Sequence, residues 1–231
     1  IFMYEENNIN PWKNLPNTVP FILPEDKKLI DSYNLQQRAK SEITLNEIPS
    51  PYIGDPKAPI IFLNLNPSFS QDEINSPKSS QFREITRANL LHEFYDYPFY
   101  VLDPSLEGTS SGYKWFNQKF GPLMKISGMD NKDLSRKIFL VEYLPYRSKN
   151  IGNWKNDILP SQIYAIHLIN EAIARQATIV IMRSKKLWFN AVPTLETYPD
   201  LHILHSPQNV TVSERNLGTE GFNKIISKLK L

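Results

Sequence analysis

The sequence predicts an α/β fold: a three-layer α/β/α sandwich with a mostly parallel central sheet of four or five strands. Three observations carry this. The best strand candidates, residues 58–65, 137–143 and 178–183, are apolar throughout instead of alternating, as strands covered on both faces are. Helical patterns separate them, which is the rhythm of a parallel sheet with crossover helices. Such crossovers are right-handed.

The elements follow in order. Residues 1–24 read as an N-terminal arm, rich in Asn and Pro, with Trp12, Phe21 and Ile22 available to pin it to the body. Residues 25–231 read as one α/β domain, and 231 residues suffice for a proper core. Pro24 opens a helix whose apolar side is Leu29, Ile30, Tyr33 and Leu35. Residues 50–56 carry turn chemistry. The strand over 58–65 then runs into a polar, Ser-rich loop over 67–81. A helix is predicted over 82–95, with Ile85, Leu90, Leu91 and Phe94 inward, and a short strand over 99–102. A helix over 113–126 precedes the strand over 137–143. The helix over 160–176 has proline in its first turn. The strand over 178–183, a short helix from 187 to 190, a strand over 201–204 and an amphipathic helix over 221–231 complete the chain.

Composition excludes several classes. No apolar run approaches the roughly 20 residues needed to span a bilayer. With no basic-then-apolar leader pattern either, the expectation is a cytoplasmic protein without a membrane partner. Cysteine is absent, so no disulfide framework, cysteine-held zinc or iron–sulfur cluster is available. No His, Asp and Glu spacing reads as a metal site, and no cofactor is expected. The chain has no Gly-x-Ser-x-Gly elbow, no Walker phosphate loop and no glycine-rich dinucleotide fingerprint. A net charge of +2 permits nucleic-acid binding without demanding it.

Two stretches break from apolar strand into polar turn: Phe62-Leu63-Asn64-Leu65-Asn66-Pro67-Ser68 and Ile203-Leu204-His205-Ser206-Pro207-Gln208-Asn209. Ligands of open α/β sheets bind at such carboxyl ends. Asn66 can be a simple turn initiator before proline, or an amide that orients a nucleophilic water. Asn64 has the same type, and strand alternation is expected to turn it the other way. His205 is either a solvent-facing strand-end residue or a donor to developing negative charge. Ser206, Gln208 and Asn209 offer polar contacts to a phosphate. Glu142 ends an apolar strand, where a carboxylate must be solvated, paired or used. The alternatives are a salt bridge to Arg147 or Arg183, or a group that reads a ligand's hydrogen-bonding edge. Arg147 with Lys149, and Arg183 with Lys185 and Lys186, follow strand ends and flank the same crevice.

These two motifs resemble the uracil-DNA glycosylase superfamily, nearest its mismatch-specific and single-strand-selective branches. That family carries Asn-Pro-Gly after its first core strand and His-Pro-Ser-Pro after its last. Asn66-Pro67-Ser68 and His205-Ser206-Pro207-Gln208-Asn209 are similar to these. The resemblance covers roughly residues 55–231. It implies a monofunctional DNA glycosylase, acting on single-stranded or mismatched DNA as a monomer, that extrudes a base into a pocket. Asn66 would position the attacking water, and His205 would hydrogen-bond the departing base. Asn64, Pro67, Ser68, Glu142 and Tyr143 would line the substrate site, with Phe69 or Phe82 stacking on the base. Arg147, Lys149, Lys185, Ser206, Gln208, Asn209 and Arg215 would contact DNA, with Val210, Val212 or Arg215 filling the gap left by the base.

The chain departs from the family at three points. Ser68 stands in place of Gly, one proline of the last motif is absent, and Glu142 stands where relatives place an Asn. An ionised Glu142 only accepts hydrogen bonds and suits an exocyclic amine; a protonated one offers a donor and an acceptor. The substrate expected is therefore a modified or damaged base. The competing readings are a non-catalytic nucleic-acid or nucleotide-binding module on the same fold, and a small-molecule hydrolase or transferase on an unrelated sheet.

Overall fold

The computed structural model describes residues 9–37, 41–68, 75–152, 154 and 157–230. Five strands form one sheet: β1 (Tyr52–Gly54), β2 (Ile60–Asn64), β3 (Ile138–Glu142), β4 (Thr178–Ile181) and β5 (Leu201–Ile203). Their spatial order is β1-β3-β2-β4-β5. β3, β2, β4 and β5 run parallel, and β1 alone pairs antiparallel, along β3. The mostly parallel sheet is as the continuous apolar runs predict.

Among the described residues, seven helices connect and cover the strands: α1 (Lys27–Asn34), α2 (Ser79–Leu90), α3 (Ser111–Ser127), α4 (Asn131–Ser135), α5 (Gln162–Ala174), α6 (Lys185–Ala191) and α7 (Glu214–Leu229). Strand parity divides the buried side chains into two cores. Ile61, Leu63, Phe139, Val141, Ile179 and Ile181 join α1, α5 and α6 residues, including Ile30, Ile169 and Trp188, in the larger. Ile60, Phe62, Ile138, Leu140 and Val180 join residues of α2, α3 and α7, including Phe82, Phe120 and Phe222, in the other.

Several boundaries differ from expectation. Residues 52–54, read as turn, form the edge strand β1, because their backbone pairs with Val141, Leu140 and Phe139. Gly54 is required there: its φ is +102°, and a Cβ would meet the Ile138 carbonyl oxygen at 2.7 Å. Residues 100–102 form a 3-10 turn instead of a strand, with Tyr100, Val101 and Leu102 all buried. The short helix α4 was not foreseen. Its N-cap is Asp130, whose carboxylate accepts from the Asp133 N–H at 2.8 Å. α7 begins seven residues before the predicted start and breaks at Gly218, where φ is 76° and ψ 158°.

The N-terminal segment packs into the larger core through Trp12, Leu15, Phe21, Ile22 and Leu23. A buried polar clamp holds its end. Tyr146 Oη donates to Asp26 Oδ2 at 2.7 Å and accepts from the Leu23 N–H at 3.2 Å. The Ser161 N–H donates to the other Asp26 oxygen at 3.0 Å. The clamp therefore ties α1 to the segment that follows β3.

Candidate functional site

The chain passes from β2 to β3 on one side and then to β4 on the other, so the strand order reverses at β2. Ligands of open α/β sheets bind outside the carboxyl ends of the strands at such a reversal. There the structure holds a cavity of about 260 Å³. That lies just below the roughly 300–1,000 Å³ of pockets for drug-sized ligands, a volume suited to a single ring system.

Its floor is built by the strand ends. Asn64 closes β2, Glu142 closes β3, and the two are register partners. Both are only 4% exposed, and both line the cavity. Asn64 Nδ2 donates to Glu142 Oε1 at 3.2 Å. The remaining oxygens, Asn64 Oδ1 and Glu142 Oε2, are buried without a hydrogen-bond partner among the described residues. Unpaired polar atoms in such a place normally cost about 1–3 kcal/mol each. Burial pushes the Glu142 carboxyl up to about 8; the Asn64 hydrogen bond and the charges of Arg183 and Arg147 pull the other way and offset it only in part. Of the two readings of Glu142, this direction favours the protonated one.

Asn66 lines the same cavity, two residues beyond Asn64. The expectation that Asn64 faces away from it is corrected: alternation has period two, so residues two apart share a side. Asn66 Nδ2 donates to Ser148 Oγ at 3.0 Å, the Pro67 carbonyl at 3.2 Å and the Ser148 carbonyl at 3.4 Å. Carbonyl oxygens only accept, so these contacts fix which end of the amide is nitrogen. Asn66 Oδ1 accepts no hydrogen bond among the described residues.

Arg147 and Arg183 bring positive charge to the wall. Arg147 is held by its Nε–H to the Ile48 carbonyl and its Nη1–H to the Ser68 carbonyl, both at 2.9 Å, and lies 5.9 Å from the Phe82 ring centre. Arg183 Nε donates to the Pro207 carbonyl at 3.1 Å. Phe82, Tyr100, Trp115 and Phe116 form the apolar side, together with Val101 and Ile53. Phe82 and Tyr100 meet edge to face at 5.9 Å, and Trp115 and Phe116 at 4.6 Å. Pro67 and Ser68 complete the rim beside Ser110, Ser111 and Gly112.

The cavity thus gathers Asn64, Asn66, Pro67, Ser68, Phe82, Glu142 and Arg147 of the sequence-derived set. Phe69 lies outside the described residues. Tyr143 does not line the cavity; it is buried in the larger core, edge-on to Trp188 at 5.2 Å. Tyr143 directly follows Glu142 at the end of β3, and alternation puts it on the opposite side of the sheet. His205 is exposed and lines a separate polar hollow with Ser206, Asn209, Thr211, Ser213, Arg215 and Asn216. The Arg183–Pro207 hydrogen bond joins that loop to the cavity wall. Asn216 shapes the loop: its Oδ1 accepts from the Ser206 N–H at 2.8 Å, and its Nδ2 donates to the Asn209 and Thr211 carbonyls at 2.7 and 3.0 Å.

Lys149, Lys185, Gln208 and Arg215 are exposed, and Asn209 accepts from Lys119 Nζ at 2.9 Å. Val210 and Val212 are fully buried core residues, which corrects their reading as groove-filling wedges. Sequence reasoning missed the roles of Tyr100, Trp115 and Phe116. For Trp115 and Phe116 the one available signal was their position just after Gly108-Thr109-Ser110-Ser111-Gly112, a small polar stretch that precedes and opens α3. Among the described residues no group of His, Asp and Glu could hold a metal ion, and no helix is long and apolar enough to cross a membrane.

No protein-family model, no curated protein and no solved structure matches this chain.

Proposed function

We propose that this protein takes a nucleobase into the cavity beyond β2 and β3 and hydrolyses its N-glycosidic bond. The observation that carries the reading is the juxtaposition of two layers in one ring-sized hollow. Deep inside, Asn64 and Glu142 form the floor, each with one buried oxygen that has no hydrogen-bond partner among the described residues. Nearer the strand end, Asn66 presents an oriented amide oxygen. Aromatic side chains flank the space between, as a planar heterocycle requires.

The chemistry follows from those positions. Asn66 Oδ1 accepts a hydrogen bond from a water and aims its lone pair at the sugar's anomeric carbon. An amide is a weak base, so the step depends on a leaving group that departs readily. The new C–O bond forms as the C–N bond breaks, and the bonding pair leaves with the base. Arg147 and Arg183 provide a positive potential for that charge. The base then takes a proton from solvent, and the water loses one. Lys149, Lys185 and Arg215 are exposed cations for the DNA backbone, whereas Arg147 is buried in the cavity wall.

Resemblance to the uracil-DNA glycosylase superfamily supports this reading through Asn66-Pro67; His205 does not line the cavity, so its expected hydrogen bond to the departing base has no part in the step. A second reading has a specific observation in its favour. His205 lines a different hollow from Asn66, so a non-catalytic nucleic-acid-binding module on the same fold is the alternative. Incubation with oligonucleotides carrying uracil, hypoxanthine and modified cytosines, followed by alkali, separates the two. Strand breaks at the modified position support hydrolysis. Salt-sensitive binding of the same oligonucleotides without any breaks supports the module.

A further inference from the structure

Two arginines line the cavity, and neither forms an ion pair among the described residues. We infer that Arg147, Arg183 and the N-terminus of α3 form an oxyanion-binding subsite, so that the ligand of this cavity carries a negative charge of its own beside a planar ring. The inference goes beyond the hydrolase reading: it assigns what the cavity binds, and it holds whether or not a glycosidic bond is broken there.

Arg147 is only 8% exposed. Its Nε and Nη1 donate to the carbonyls of Ile48 and Ser68, and its Nη2 donates to nothing among the described residues. Arg183 is half-buried. Its Nε donates to the Pro207 carbonyl, and its two Nη groups have no partner among the described residues. A guanidinium keeps its proton throughout the accessible pH range, so it cannot relieve the cost of burial by neutralising, as a lysine or a histidine does. Carbonyl dipoles satisfy its hydrogen bonds but supply no counter-charge, and a buried cation is normally paired. Glu142 is the one acidic residue among those lining the cavity. Its Oε1 accepts from Asn64 and its Oε2 is sealed from solvent, so it bonds neither guanidinium.

The N-terminus of α3 adds to the same potential. Ser111 and Gly112, its first two residues, line the cavity. The helix is 17 residues long and has no acidic residue in its first turn, so its dipole leaves partial positive charge at that end. The rest of the wall selects a ring. Phe82, Trp115 and Phe116 line it, and the Arg147 guanidinium lies 5.9 Å from the Phe82 ring centre. A cavity of about 260 Å³ accommodates one ring with one small charged group. Two sources offer that chemistry: a carboxylate borne by the ring, and the phosphate of a nucleotide. Both accept from a guanidinium as a two-pronged fork.

Calorimetry at neutral pH and low salt compares benzoate and phenyl phosphate with benzamide, the neutral counterpart of benzoate. Wild type is expected to bind at least one of the two anions about tenfold or more tightly than benzamide. Preference for benzoate places the charge on the ring. Preference for phenyl phosphate, with competition by inorganic phosphate, places it on a phosphate. Arg183→Gln, at a half-buried position, is expected to weaken the preferred anion about tenfold and benzamide by less than about twofold, with its thermal unfolding midpoint confirming the fold. Lys186→Gln removes the same charge from the exposed surface nearby and is expected to change neither affinity. The wild-type comparison stands independently of any variant. Equal affinity for the anions and benzamide, anion binding untouched by Arg183→Gln, an equal loss in Lys186→Gln, or no binding of any of the three compounds would each overturn the inference. Base release by a protein with no preference for anions would leave the hydrolase standing without the subsite. Anion-selective binding with no base release would leave the subsite standing without the hydrolase.

Discussion

Burial keeps the Glu142 proton bound to about pH 8, whereas the exposed group loses it near 4.5. Between those values the folded chain holds more protons than the unfolded one, so unfolding free energy falls as pH rises. His92 works in the opposite direction. Burial lowers its pKa from 6.5 to about 4, with its Nε2 against Tyr164 Oη at 2.9 Å and its ring stacked on Tyr52. There the unfolded chain holds the extra proton, and stability is lost as pH falls from 6.5 towards 4. The two slopes oppose each other between 4.5 and 6.5, which leaves the Glu142 contribution exposed from 6.5 to 8. Urea titrations across that upper window are expected to show wild-type stability falling by about 1–3 kcal/mol. Glu142→Gln removes a carboxyl that must stay protonated, and its stability is expected to change little over the same window. A wild-type profile that stays level there would contradict the burial argument.

Among the elements, the segment after β3 carries the most. Arg147 lines the cavity, Ser148 orients Asn66, and Tyr146 closes the clamp on Asp26. Asp26 is fully buried, and burial raises its carboxyl above the usual range despite its hydrogen bonds. Tyr146→Phe keeps the ring against Trp12, 5.9 Å away, but removes a donor to Asp26 and an acceptor for Leu23. The expected loss is about 1–3 kcal/mol in chemical denaturation. Because Arg147 follows directly, the same variant is expected to weaken ligand binding. Unchanged stability would mean that the clamp is not needed to hold α1 against the sheet.

At the scale of the whole molecule, β2, β3 and β4 were legible because burial on both faces leaves an uninterrupted apolar run. β1 was not, since Tyr52, Ile53 and Gly54, set in a segment bounded by Pro51 and Pro56, look like turn and become a strand only beside β3. Residues 99–102 were apolar for packing in the second core, which distinguishes neither strand from 3-10 turn. The site was half legible. Asn64, Asn66 and Glu142 announce themselves as polar residues ending apolar strands. Arg183 was marked by its place after a strand end, whereas Tyr100 is brought in by the crossover and no local pattern marks it. His205 shows the reverse case: a conspicuous strand-end residue that the loop geometry turns to a neighbouring hollow. A modest net charge of +2 also has a consequence for the whole chain. DNA binding through Lys149, Lys185 and Arg215 is expected to show a slope of about −2 to −3 in log affinity against log salt. A slope near zero in fluorescence anisotropy would exclude these cations as the DNA contacts.

The central claim is that Asn66 directs hydrolysis in the cavity it shares with Asn64 and Glu142. Its most direct measurement is the rate of free-base release from the modified oligonucleotides by wild type and by Asn66→Ala, with oligonucleotide affinity measured alongside. The account expects release of at least one base by wild type, and a loss of about 100-fold or more in the variant with affinity nearly unchanged. Equal rates in the two proteins, or no release from any substrate, would contradict it.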